Sequence, residues 1–255
     1  MKVLYGQLMM RLGGYITNDK WEFPTKHFFP TCIDNFFENP DEIRQLGLRL
    51  ERKSEGEGRW PGERTDEIQN QELLEKILGC YFDSNFQWEE SHLYFQYISS
   101  FDEDKNSVKN RGWIHRDTLH WDRRPAIAGL IYLTPDIDLD SGTSIFQLKE
   151  DRLPFWDGRI ILKEDQDTDW WGLKRLNFAH KLKDEILYEK TLMEYEENFI
   201  ETIRFQNVYN RLVMYDTSDY HRANSFYSEK GNRLTSVFFI KGIEYNGRWP
   251  LERIN

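Results

Sequence analysis

The chain has 255 residues, with 34 Lys and Arg against 44 Asp and Glu and a formal net charge of −10. That balance argues against a general nucleic-acid binder, because phosphate neutralisation needs a clustered basic surface. The two cysteines, Cys32 and Cys80, are far apart and read as reduced, buried thiols of a cytoplasmic protein rather than a disulfide framework. The apolar stretch 127–133 is much too short to cross a bilayer, and Arg11 breaks the Leu8-Met9-Met10 run before a signal-peptide core could form, so a soluble protein with no membrane partner is expected.

No Pro/Gly/Ser-rich linker or internal repeat divides the sequence, which predicts a single domain over residues 1–255. Residues 1–82 read as an α-rich cap. A first strand is expected within residues 29–37, and Asn39-Pro40-Asp41-Glu42 starts a helix with a capping side chain, Pro at the first position and acids against the helix dipole. It should run towards Arg52 and bury Ile43, Leu46 and Leu50, until the charged, Gly-containing stretch 51–58 ends it. Arg59-Trp60-Pro61-Gly62-Glu63-Arg64 reads as a Pro-Gly turn with a packed ring. Thr65, followed by Asp66 and Glu67, is expected to cap a second helix through Leu73, Leu74, Ile77 and Leu78.

Short strands follow at residues 92–98, 112–117, 127–133, 143–148, 202–206, 211–215 and 233–240. Their β-branched and aromatic content, with intervening turns, predicts a mainly β, α+β chain built as a sandwich or jelly roll. The stretch 151–201 is extra. Its acidic, Trp-containing beginning reads as a loop, and Leu182, Ile186, Leu187, Met193 and Tyr195 stand at nearly helical spacing, as a brace for the sheet or a lid over a substrate. The 15% aromatic content, with 9 Trp and 13 Tyr, is explained by core packing and implies no ligand.

The residues with a distinctive chemistry are His115, Asp117, His221 and Arg233. Trp113-Ile114-His115-Arg116-Asp117 is strand-like, so His115 and Asp117 face the same way and can share one metal ion. Two neutral imidazoles and a carboxylate leave about three positions open on an octahedral Fe(II), which suits O2 activation. A second pair, His120 and Asp122, has the same spacing but runs into Arg123-Arg124-Pro125 and reads as a loop. His27, His92 and His180 read as surface histidines.

The order of these parts resembles that of the 2-oxoglutarate/Fe(II)-dependent dioxygenase superfamily. His115-Arg116-Asp117 stands for its H-x-D, Gly142-Thr143 follows as a turn after strand 128–133, then come the distal His221 and Arg233-Leu234-Thr235. The prolyl-4-hydroxylase-like branch, which includes bacterial and phage oxygenases, is the most similar, and the resemblance covers roughly the second two-thirds of the chain. It implies a double-stranded β-helix (jelly roll) with packing helices from the N-terminal region and the insertion. It also implies Fe(II) on His115, Asp117 and His221, and 2-oxoglutarate bound by Arg233 with Thr235, Tyr132 and Tyr97 as further candidates. O2 would be consumed, succinate and CO2 released, and a C–H bond of a peptide, amino acid or small metabolite hydroxylated. Halogenating members generally lack the carboxylate that Asp117 supplies here, which favours hydroxylation. The resemblance also offers a second reading of the Pro-Gly turn, with Arg64 or Trp60 at the substrate mouth. The alternatives are a non-catalytic, cupin-like metal-binding jelly roll and hydrolytic zinc chemistry, which has suitable ligands but leaves Arg233 and Thr235 unexplained.

Overall fold

A computed structural model describes residues 26–117, 124–149, 170–229, 232–249 and 251–252. Its strands are β1 (Lys26–His27), β2 (Thr31–Ile33), β3 (Arg52–Ser54), β4 (Glu63–Thr65), β5 (Phe86–Gln87), β6 (Glu90–Ile98), β7 (Ala126–Tyr132), β8 (Thr143–Leu148), β9 (Phe199–Phe205), β10 (Leu212–Asp216), β11 (Tyr220–Ala223), β12 (Arg233–Lys241), β13 (Glu244–Tyr245) and β14 (Leu251–Glu252). The helices are α1 (Pro40–Arg49), α2 (Gln71–Leu78), α3 (Trp170–Phe178) and α4 (Glu185–Glu196).

Seven strands form the main sheet in the order β2-β10-β7-β12-β6-β4-β3, and three form a smaller one in the order β11-β8-β9. Every pairing between neighbouring strands is antiparallel. From β6 the chain gives two strands to the main sheet (β6, β7), two to the smaller one (β8, β9), and then alternates through β10, β11 and β12, an arrangement compatible with a jelly roll. Because side chains on a strand point alternately to its two faces, the main sheet has two different surfaces. Its outer face carries Phe95, Ile131, Leu212, Leu234 and Phe238, packed with Leu74, Ile77 and Leu78 of α2. Its inner face carries Ala128, Tyr132, Val213 and Tyr215, which close on Ile145 and Phe205 of the smaller sheet. A third cluster, with Trp113, Ile114, Phe146, Tyr188, Leu192, Tyr195 and Tyr220, joins α4 to the smaller sheet and to the segment before His115.

Gly142 shows why the turn into β8 takes glycine. A Cβ there would lie 1.8 Å from the Phe205 carbonyl oxygen, a distance no side chain tolerates. Among the described residues no helix is long and apolar enough to cross a membrane.

Several expectations are corrected. Helix α1 buries Gly47 against the Phe95 ring and leaves Leu46 40% exposed. Thr65 ends β4 instead of capping a helix; the cap of α2 is Asn70, whose side chain accepts from the Leu73 amide at 3.0 Å. Residues 112–117 form no continuous strand and touch β11 through the isolated bridge His115–His221. In α4 the buried residues are Tyr188, Thr191, Leu192 and Tyr195, while Ile186 and Met193 are 82% and 54% exposed. Cys32 and Cys80 are exposed thiols. The alternative pair His120 and Asp122, and residues 151–169 of the expected loop, lie outside the described residues.

Candidate metal centre

Backbone geometry brings the three ligand candidates together. His115 N–H donates to the His221 carbonyl at 3.0 Å, and His221 N–H returns the bond to His115 at 2.9 Å. The Asp117 amide donates to the Thr217 carbonyl at 3.0 Å, so a short ladder fixes the segment 115–117 against the turn before β11 and β11 itself. One ligand atom from each of His115, Asp117 and His221 falls within 4.8 Å of the others. His115 Nε2 is 3.7 Å from Asp117 Oδ1, His221 Nε2 is 3.4 Å from Asp117 Oδ2, and the imidazole centroids are 4.4 Å apart.

The tautomers follow from the partners. His115 Nδ1 donates to the Trp113 carbonyl at 2.8 Å, and His221 Nδ1 donates to the Asp219 carbonyl at 3.0 Å. A carbonyl oxygen only accepts, so each Nδ1 carries a proton, and each Nε2, the atom that faces Asp117, is the one a metal could use. Backbone carbonyls behind the rings are the usual way a metal-binding imidazole is oriented. Burial, then the charge of Lys174, then His221 hold the His115 ring well below the usual imidazole range. It is therefore a neutral donor, with 32% of its side chain open. His221 is closed in, with the Tyr215 ring tilted against it at 4.3 Å between centroids.

Arg233 lies on the inner face of the main sheet, 2% exposed. Its Nη1 donates to the Ser225 carbonyl at 3.1 Å, its Cζ lies 5.4 Å from the Tyr132 ring, and its Nε is buried with no acceptor. Among the described residues no carboxylate pairs with it, and burial pulls its pKa down. Two other arginines near the motif already have carboxylate partners: Arg211 is paired with Asp34 and Arg222 with Glu196. Thr235 stands opposite Tyr132 in the β7–β12 register, and the Tyr132 hydroxyl shares a 2.8 Å hydrogen bond with Thr143 Oγ1. Arg233, Thr235 and Tyr132 thus form one inward group, linked to the metal candidates through Tyr215.

Tyr97 does not join them. In the β6–β12 register it opposes Leu234 and so faces the outer core, under the Arg52 guanidinium at 4.4 Å and bonded to the Asn232 side chain. The inward residues of this strand are Gln96 and Ile98, a parity readable from the alternation along β6 once Arg233 is placed. Of the three other histidines among the described residues, His27 sits between Asp216 and Asp219, His92 between Glu67 and Glu90, and His180 stacks on Phe101. Three further residues of the site carried no role in the motif. Tyr215 could have been found from its inward parity with Val213. Arg64 was one of two candidates for the substrate mouth. Lys174 had no sequence signal; it lies on α3 only 4% exposed, with burial pulling its pKa to about 8 while Asp117 opposes that shift.

The family profile described as "Family of unknown function (DUF6445)" matches residues 29–230. Since that is most of the chain, the protein belongs to this family. No curated protein matches the sequence. Among solved structures, HygX from Streptomyces hygroscopicus with nickel, 2-oxoglutarate and hygromycin B bound is similar at 12% identity, over 89% of this chain and 87% of that chain, with a TM-score of 0.45. A Trichoplax adhaerens prolyl hydroxylase in complex with a hypoxia inducible factor peptide fragment is similar at 11% identity, over 84% and 83% of the two chains, with a TM-score of 0.42. A Pseudomonas putida prolyl-4-hydroxylase is similar at 12% identity, over 83% and 91%, with a TM-score of 0.41.

Proposed function

We propose that this member of the DUF6445 family is an Fe(II)- and 2-oxoglutarate-dependent oxygenase, a single catalytic domain on a jelly roll, that hydroxylates a C–H bond of a small molecule or peptide. One observation carries the reading. Two imidazole Nε2 lone pairs and a carboxylate converge beside a buried arginine that has no acid of its own. A two-His, one-carboxylate set leaves coordination positions open, which fits a metal that must also take a chelating acid and O2. A buried, unpaired guanidinium fits the carboxylate that such an acid would bring.

Bound there, Fe(II) supplies the binding and activation of O2, with 2-oxoglutarate as electron donor and succinate and CO2 as products. His115 and His221 offer neutral donors fixed by the Trp113 and Asp219 carbonyls, and Asp117 offers the charge that offsets a divalent ion. Arg233 receives the far carboxylate of 2-oxoglutarate through a charge-assisted pair, with the Tyr132 and Thr235 hydroxyls beside it. Tyr215 keeps water from the His221 side of the centre.

The test is the fate of 2-oxoglutarate. Protein loaded anaerobically with Fe(II) and 2-oxoglutarate should develop a visible charge-transfer band and release succinate when O2 is admitted. His115→Ala, Asp117→Ala and His221→Ala should each lose both signals while remaining folded. Metal binding with no succinate under any condition would leave a non-catalytic metal-binding protein instead.

A further inference from the structure

The inner face of the main sheet carries a cross-strand row that the cosubstrate does not use up. The register opposes Arg64 of β4 to Gln96 of β6, Gln96 to Thr235 of β12, and Thr235 to Tyr132 of β7. Directly opposed residues share a face, so all four point inward. Thr235 and Tyr132 flank Arg233; Arg64 stands at the other end. Its Cζ lies 4.8 Å from the Trp60 ring and 5.5 Å from the Tyr94 ring, which clamps the guanidinium in place. One Nη donates to Gln96 Oε1 at 3.3 Å, and Gln96 is itself held by the Pro61 carbonyl at 2.7 Å. The Nε–H is buried with no acceptor, and among the described residues no carboxylate forms an ion pair with this arginine.

The charge of Arg64 reaches the metal centre. It interacts with Asp117 and His115, as Lys174 of α3 also does. Burial pulls the Arg64 pKa down to about 10, so the group stays cationic at neutral pH. Asp117 is the negative group on which both charges act, and a divalent metal would claim it. Once 2-oxoglutarate is matched by the metal and Arg233, the positive charge of Arg64 is left without a carboxylate partner among the described residues. Uncompensated buried charge is costly, whereas an anionic substrate would complete it.

Resting on the oxygenase reading, we propose that Arg64 is a specificity-determining residue that receives the carboxylate of an acidic substrate. A guanidinium fixed between rings presents a rigid donor edge that matches a planar carboxylate. The substrate class is then an organic acid with an apolar body, whose reacting C–H lies between its carboxylate and the metal.

The test uses the anaerobic protein with Fe(II) and saturating 2-oxoglutarate. It is titrated with N-acetyl-L-phenylalanine, with the corresponding amide and with phenyl phosphate, while the charge-transfer band and iron-induced NMR relaxation of each probe are followed. The carboxylate should bind at least about tenfold more tightly than the amide. Arg64→Gln should remove that preference and Arg64→Lys should keep part of it, both with 2-oxoglutarate affinity within about twofold of the parent protein. Equal binding of acid and amide, binding of the phosphate alone, or binding of none of the probes would overturn the proposal. So would a loss of 2-oxoglutarate affinity in both variants, which would move Arg64 to the cosubstrate. Absence of the charge-transfer band in the parent protein would instead remove the oxygenase reading itself.

Discussion

At the scale of single residues, Arg233 differs from its neighbours in what it lacks. Arg211 and Arg222 spend their charge on Asp34 and Glu196, while Arg233 is buried against Tyr132 and among the described residues has no carboxylate partner. Removing a buried charge partner from a carboxylate costs about 2–5 kcal/mol. Arg233→Ala should therefore weaken 2-oxoglutarate by roughly 30-fold or more while leaving Fe(II) affinity unchanged, as read from the two titrations. An unchanged 2-oxoglutarate affinity would assign the carboxylate elsewhere. A different residue governs a pH effect on folding. The hydrogen bond to Glu67, then that to Glu90, raises the pKa of His92 against some desolvation, with Tyr94 stacked beside it. A pKa raised on folding stabilises the fold fully below the unfolded value and ceases to do so as pH rises through the folded one. Urea unfolding of His92→Gln should thus show a deficit against the parent near about pH 5.5 that closes by about pH 8.5; a pH-independent difference would deny the ion pairs any part. The convergence of His115, Asp117 and His221 was legible because the spacing of such a set is dictated by coordination chemistry. The side on which Tyr97 falls was not, since a one-residue choice of parity on a strand sends every side chain to the opposite face.

At the scale of elements, α4 is tied to the metal centre from behind. The Tyr195 hydroxyl donates to the Ile114 carbonyl at 2.7 Å, and Trp113 Nε1 donates to the Tyr188 hydroxyl at 2.8 Å. Both contacts grip the residues just before His115, so this part of the expected insertion acts as a brace. Tyr195→Phe would leave a buried carbonyl without its donor, at a cost of about 1–3 kcal/mol. Calorimetry should show that loss together with weaker Fe(II) binding, and unchanged iron affinity would mean that the segment 113–117 holds its shape without α4. Of the apolar stripe expected on this helix, Tyr195 is buried and Leu182, just before the helix, packs on the same cluster, whereas Ile186, Leu187 and Met193 face solvent. Besides Leu192 the buried positions are tyrosines and a threonine, side chains with a polar end that a purely apolar pattern passes over. In the same way Thr65 with two following acids looks like a helix cap, yet it ends β4, where its hydroxyl accepts from the Phe95 amide at 3.1 Å. The strands expected at 127–133, 143–148, 202–206, 211–215 and 233–240 correspond to β7, β8, β9, β10 and β12, whereas the four-residue β11 that carries His221 has no alternation long enough to be read from sequence.

At the scale of the whole molecule, the three candidate ligands come from segments far apart in the chain, and they meet only when both sheets are paired. His115 and Asp117 follow β6 of the main sheet, while His221 belongs to β11 of the smaller one; the two-way hydrogen bonds between His115 and His221 are the join. The unfolded chain holds no such geometry, so a metal that binds the folded state shifts the folding equilibrium by mass action. At a free metal concentration about a hundredfold above Kd the gain is about 2.7 kcal/mol. For a domain of this size that corresponds to a rise in Tm of about 5–10 °C. Anaerobic thermal melts of the apo-protein with added Fe(II), or with Ni(II) as a redox-inert substitute, should show this rise, and it should grow with the logarithm of metal concentration. His221→Ala should melt without responding to metal, because the remaining His115 and Asp117 sit on one side of the join and no longer bridge it. Arg233→Ala should keep the metal response and lose only the further rise produced by 2-oxoglutarate. A parent protein whose Tm ignores both metals would show that the three side chains, although converged, do not form a metal site.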